Sequence, residues 1–233
     1  MDSNKQIKKG ALISYIGIAF NVIAGLIYTP WMIHQIGKSD YSLYMLSMSF
    51  LAYFIMDFGL GQAIAKFVAK YRIDDNEQKI AQLLGLTAKL YLIIDMVIAV
   101  VLITLYFYLE TIFKGLTSVE IERFKVIYVI SGLFSLVSFP FTSLNGILIA
   151  YERFVLLKTT ELISKMSVII LMVIALLLDY TLYALVAINA FVGLLIIVIK
   201  IYYLVKSTNT TINYGYKNKG LLKELFSISI WVS

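Results

Sequence analysis

Ionisable side chains set inside long apolar runs are the groups in this sequence with chemistry to do. Asp57 stands in Met56-Asp57-Phe58-Gly59-Leu60-Gly61-Gln62, and Asp95 in Leu92-Ile93-Ile94-Asp95-Met96-Val97. Glu161 and Lys165 are spaced i, i+4 at the head of another apolar run. A charge at the centre of a bilayer costs roughly 2.5–3.5 kcal/mol on insertion scales, so each of these needs a partner or a polar cavity. For Asp57 two roles stand open: a cavity-facing carboxylate that binds a cation or senses protonation, or a carboxylate bonded to a neighbouring helix. Asp95 is either an ion-coupling group or a partner of Lys89, six residues back, whose ammonium would snorkel to the interface. Glu161 and Lys165 share a helical face and can neutralise one another, or line a cavity as a charged pair.

Single amides at Asn21, Asn145 and Asn189 suit interhelical hydrogen bonds, with a polar transport lining as the other use. The many aromatic residues, 17 Tyr and 14 Phe, fit interfacial belts. Tyr28, Tyr53 and Tyr91 belong to such a belt or to a cavity wall. His34, at the end of the first run, reads as interfacial. Gly59 and Gly61 permit bending or close helix approach. They lack the third glycine and the preceding strand of a dinucleotide fingerprint. No nucleophile elbow, phosphate loop, catalytic carboxylate pair or metal-ligand spacing occurs. One histidine and no cysteine argue against a histidine-rich metal site and exclude thiolate zinc and disulfides. We expect no enzyme and no cofactor.

The elements that must carry these groups are membrane helices. Hydrophobic residues make up 61% of the chain and charged residues 15%, against about 25% charged in soluble domains. A soluble chain of this length buries only roughly 70% of its surface, so that excess would face water. At about 20 apolar residues per crossing, six spans are expected: Ala11–Ile33, Tyr41–Ala65, Leu83–Leu109, Val126–Ala150, Leu162–Leu178 and Leu182–Val205. A seventh begins near Leu225 and is cut off at Ser233. The fold class is therefore an all-α polytopic bundle.

Charge orients it. With the N-terminus in the cytoplasm, 16 of the 20 basic residues fall on the inner side. The outer side keeps Lys38, Lys114, Arg123 and Lys125. This bias accounts for the net charge of +6 without nucleic acid. The first run follows Lys5, Lys8 and Lys9, as in a signal peptide, yet it is too long and has no A-x-A-like cleavage site. It reads as a retained span containing Asn21, Gly25 and Pro30. Connections are short. Residues 207–224, with Thr208, Asn209, Thr210, Thr211, Asn213, Gly215 and Asn218, read as a flexible cytoplasmic linker between residues 1–206 and a further bundle starting at 225–233.

Several motifs carry a family likeness. They are Lys9-Gly10-Ala11-Leu12-Ile13-Ser14-Tyr15, Tyr28-Thr29-Pro30, Gly37-Lys38-Ser39-Asp40-Tyr41-Ser42-Leu43-Tyr44 and Asp57-Phe58-Gly59-Leu60-Gly61, then Ala69-Lys70-Tyr71-Arg72 and Ala150-Tyr151-Glu152-Arg153-Phe154. In order and spacing they resemble the N-terminal half of bacterial polysaccharide flippases, the O-antigen and capsule (Wzx-like) type. That group lies in the superfamily that also holds the MATE transporters. The resemblance implies two six-helix lobes facing a central cavity, with this chain as the first lobe and the second missing from it. It implies an undecaprenyl-diphosphate-linked oligosaccharide as substrate, flipped across the inner membrane at the expense of an ion gradient. Membrane lipids, the second lobe, and glycan polymerase and ligase components are the implied partners. Cavity candidates are Asp57, Gln62, Lys66, Lys70, Arg72, Asn145, Arg153, Glu161 and Lys165. Asp57 and Asp95 are the candidates for ion coupling. Lys66, Lys70, Arg72 and Arg153 could hold the diphosphate or merely record the inner-side charge bias. Arg153 beside Glu152 could form a gating ion pair. An ion-coupled multidrug exporter and a non-transporting scaffold of a glycan-assembly complex are the competing readings.

Overall fold

A computed structural model describes residues 3–208, 212–216 and 218–232. Asn209, Thr210, Thr211 and Lys217 of the expected linker, and Ser233, lie outside them. The regular structure of the described residues is all helical: α1 (Ser3–Phe54), α2 (Leu60–Ile73), α3 (Glu77–Ile112) and α4 (Ser118–Ser138), then, after the 3-10 turn Phe139–Thr142, α5 (Ser143–Ala150), α6 (Phe154–Leu177), α7 (Leu182–Ser207) and α8 (Lys219–Val232). Five helices are long and apolar enough to cross a membrane: α1, α3, the α4–α5 unit, α6 and α7.

Five helices nevertheless make six apolar passes, because α1 turns back on itself. Gly37 has φ 82° and ψ 162°, backbone that is essentially reserved for glycine. The Tyr28 and Tyr44 hydroxyls both donate to Met172 Sδ, at 3.1 and 3.9 Å. In a straight helix sixteen residues would separate them by about 24 Å. The reversal is tied down by Arg123, whose guanidinium meets Asp40 at 2.7 Å, and by Ser39 donating to Glu120. Glu120 also completes a capping box with Thr117 at the start of α4.

The second pass is broken rather than continuous. Residues 55–59 are non-helical, with Phe58 at φ 49° and Gly59 at φ 76°, and α2 resumes at Leu60. Pro140 produces the corresponding break in the fourth pass, because it cannot donate within a helix. Packing alternates the passes between two ends. At one end the second arm of α1 meets the end of α3 and the starts of α4 and α7 through Leu43, Leu109, Phe124 and Leu182. At the other, α2 meets the start of α3, the end of α5, the start of α6 and the end of α7 through Ile64, Leu83, Leu148, Leu157 and Leu204. We call the second the basic end. Elsewhere large apolar side chains stand open, among them Leu26 at 73% and Phe107 at 76% exposure, as a lipid-facing surface requires.

The expected flexible linker is in part docked. Asn213 N–H donates to the Ala81 carbonyl at 2.9 Å, and a Cβ on Gly85 would run into the Asn213 carbonyl. Helix α8 begins at Lys219, six residues before the expected start, and buries Leu225 in the α2 core. A polar composition signals loop, yet it says nothing of whether a glycine on a distant helix leaves room for that loop to lie down.

Candidate functional site

Asp57 acts on its own chain. Its Oδ1 accepts from Gly59 N–H at 3.2 Å and its Oδ2 from Gly61 N–H at 2.9 Å. The carboxylate thus satisfies two of the N–H groups that open α2, and the positive end of the helix dipole offsets its charge. This is backbone bonding, as one of the two sequence readings held, although to α2 itself rather than to a neighbouring helix. The same first turn makes a close helix crossing: a Cβ on Gly146 of α5 would strike the Gly61 carbonyl oxygen. Further along, Arg72 donates to the Ala150 carbonyl, so the start of α2 meets α5 earlier and its end meets α5 later. The two helices therefore run parallel.

That crossing sets a polar face. With about 100° per residue, parallel helices touching at Gly61 and Gly146 place the residue after the first and the residue before the second on the same side. These are Gln62 and Asn145, both exposed, and Lys66 follows Gln62 by one turn, also exposed. Lys200 reaches the same place from α7. Its side chain is only 9% exposed, and its ammonium donates to Asn145 Oδ1 at 2.8 Å. It sits seven residues, about 10 Å, short of the end of α7. Glu161 and Lys158 of α6 pair at 2.9 Å and both lie within electrostatic reach of Lys200. Residues 62, 145, 161 and 200 are far apart in sequence and converge here from four helices.

Several expected pairings are not those formed. Glu161 bonds Lys158 (i−3) rather than Lys165, both lysines being within one helical turn of it; Lys165 is exposed. Lys89 donates to the Tyr216 carbonyl at 3.3 Å and not to Asp95, having been drawn to the docked linker. The Asp95 Oδ1 is buried with no partner among the described residues. Arg153 and Glu152 form no ion pair among the described residues. Glu152 is the left-handed turn residue, at φ 54°, while Arg153 lies over the Tyr203 ring at 5.9 Å with its Nε unbonded. Arg72 stacks on Tyr151 at 4.4 Å, which commits it to bracing the α5–α6 turn. Lys66 and Lys70 stay exposed. At the mouth of the basic end burial raises the Tyr71 phenol above its ordinary value, with Glu224 adding to the effect.

Of the remaining polar groups Asn189 and Tyr91 pack, while others stay at the surface, Asn21 without the interhelical hydrogen bond expected of it among the described residues. Asn189 donates to Tyr44 Oη at 3.0 Å, Tyr91 is buried beside Phe139, Tyr53 and Asn21 are exposed, and His34 is exposed near the Gly37 reversal. Sequence reasoning missed Lys200 as a site residue, having counted it as inner-side charge. The available signal was its distance inside an apolar run that ends with Lys206. The ends differ in charge as well. Arg123 and Lys125 at the opposite end are matched by Asp40, Glu110 and Glu122, whereas only Lys158 is matched at the basic end among the described residues.

A multi-pass helical membrane protein with a polar face set into an apolar surface is thereby defined. The chain belongs to the polysaccharide biosynthesis protein family, whose sequence model matches residues 7–233. Comparison with curated proteins and with solved structures gives no match.

Proposed function

We propose that the chain is one lobe of a transporter that flips an undecaprenyl-diphosphate-linked oligosaccharide across the bacterial inner membrane, with its basic end and N-terminus in the cytoplasm. The observation that carries this reading is the face where exposed Gln62, Lys66 and Asn145 stand over the buried Lys200 ammonium, with the Lys158–Glu161 pair nearby. Lipid is an expensive neighbour for such a face, so a second lobe or a water-filled cleft must cover it. Alternating access between two lobes provides both by turns. The lysines on and beside that face, Lys66, Lys70 and Lys200, suit a diphosphate through charge-assisted hydrogen bonds. Arg72 and Arg153 shape the rim. Asp95, with its unpartnered buried oxygen, is a better ion-coupling candidate than Asp57, whose carboxylate is spent on capping.

The test is expression of the gene encoding this chain in cells deprived of their own flippase. Restored surface glycan, lost again in Lys200→Met with the protein still in the membrane, supports the proposal. Unrestored glycan with the wild-type protein inserted in the membrane refutes it.

A further inference from the structure

The helices α3 and α7, with the 3-10 turn and α5, line a half-open cavity of about 340 Å³, bounded on one side by Ile212 and Tyr214 of the docked linker. Its wall is made chiefly of aliphatic side chains such as Leu84, Leu92, Leu144, Ile147, Ile201 and Leu204. The Ser and Thr hydroxyls that reach it are already engaged. Thr87 donates to the Leu84 carbonyl, Ser143 to the Pro140 carbonyl and Thr208 to the Leu204 carbonyl. A polar ligand would thus find few free donors, whereas a hydrocarbon chain would give up nothing. The cavity lies among membrane-crossing helices, where the surrounding solvent is itself hydrocarbon, so an acyl chain can enter from its open side. Charge complementarity identifies the chain's owner. Lys89 does not line the cavity itself, but its ammonium reaches the docked linker at the Tyr216 carbonyl, 3.3 Å away and two residues past the wall residue Tyr214, with one of its three N–H groups, and it meets no carboxylate among the described residues.

We propose that this cavity holds one acyl chain of an anionic glycerophospholipid, with the lipid phosphate against Lys89. The bound chain fills the space between α3 and α7, and the headgroup braces the linker that Asn213 and Gly85 clasp to α3. This site is separate from the translocation reading and stands or falls without it.

The test reconstitutes the whole chain in phosphatidylcholine vesicles doped with phosphatidylglycerol that carries a diazirine at the end of one acyl chain. After irradiation the adducts are mapped by mass spectrometry. Adducts should concentrate on Leu84, Leu92, Leu144 and Ile147, well above those on the exposed α1 residues Leu12 and Leu26. Ala88→Phe should cut the cavity adducts roughly tenfold and leave the α1 adducts unchanged. Ser143→Leu provides the same filling from another wall should Ala88→Phe fail to insert. Lys89→Gln should abolish the preference for the phosphatidylglycerol probe over its phosphatidylcholine analogue. Cavity adducts no denser than those on α1, or undiminished by filling, overturn the proposal. So does displacement of the probe by a polyisoprenyl phosphate but not by unlabelled phosphatidylglycerol.

Discussion

Adding one methyl group at Gly146 tests the crossing on which the polar face depends. The Cβ of Gly146→Ala would meet the Gly61 carbonyl, a backbone atom with no flexible end to swing aside, so α2 and α5 must separate. Overpacking of this kind costs about 1–3 kcal/mol. Alanine also gains up to about 1 kcal/mol over glycine in a helix, which hides part of the cost. Gly25→Ala serves as the control, because nothing lies within 4 Å of a Cβ there. The propensity gain cancels between the two variants and leaves the steric cost alone. At roughly 2–4 °C per kcal/mol for a chain of this size, Gly146→Ala should melt about 2–12 °C below Gly25→Ala. The assay is thermal unfolding of both proteins in the same detergent, followed by circular dichroism. A Gly146→Ala midpoint at or above that of Gly25→Ala would refute the close crossing, and with it the placing of Gln62 and Asn145 on one face.

Other substitutions separate the roles assigned here. Asp57→Asn keeps a capping side chain, so stability and transport should persist, whereas Asp57→Ala should lose about 0.5–2 kcal/mol, read from thermal midpoints. Loss of transport in Asp57→Asn at unchanged stability would show that the charge itself is needed. Gly37→Ala should lose about 1–3 kcal/mol because its φ and ψ suit only glycine, and cysteine cross-linking between positions 28 and 44 should fall with it. Lys200→Met should leave the melting midpoint within a few degrees, since an apolar isostere relieves a buried charge, while glycan translocation is lost. Retained translocation would remove Lys200 from the site.

The apolar runs were legible because a bilayer imposes both length and composition on every crossing. Gly59 and Gly61 read as a bend or a close approach, and they provide both, the bend at Phe58–Gly59 and the approach at Gly61. What escaped was not fixed by spacing. The i, i+4 rule offers Lys165 to Glu161, but Lys158 at i−3 shares the same face and forms the pair, a choice that sequence spacing leaves open. The stretch from His34 to Asp40 looked like a connection between spans, while in the fold it is helix on both sides of one glycine. The docking of Asn213 rests on the missing side chain of Gly85, more than a hundred residues away.

The account rests on one face of this membrane bundle meeting water while the rest meets lipid. The sequence contains no cysteine, so single cysteines can be introduced without background. The direct measurement is labelling of such variants in intact membranes with a membrane-impermeant maleimide applied from the basic end. We predict rapid labelling of Gln62→Cys and Asn145→Cys and none of Leu26→Cys or Phe107→Cys. Equal protection of all four positions would contradict the account.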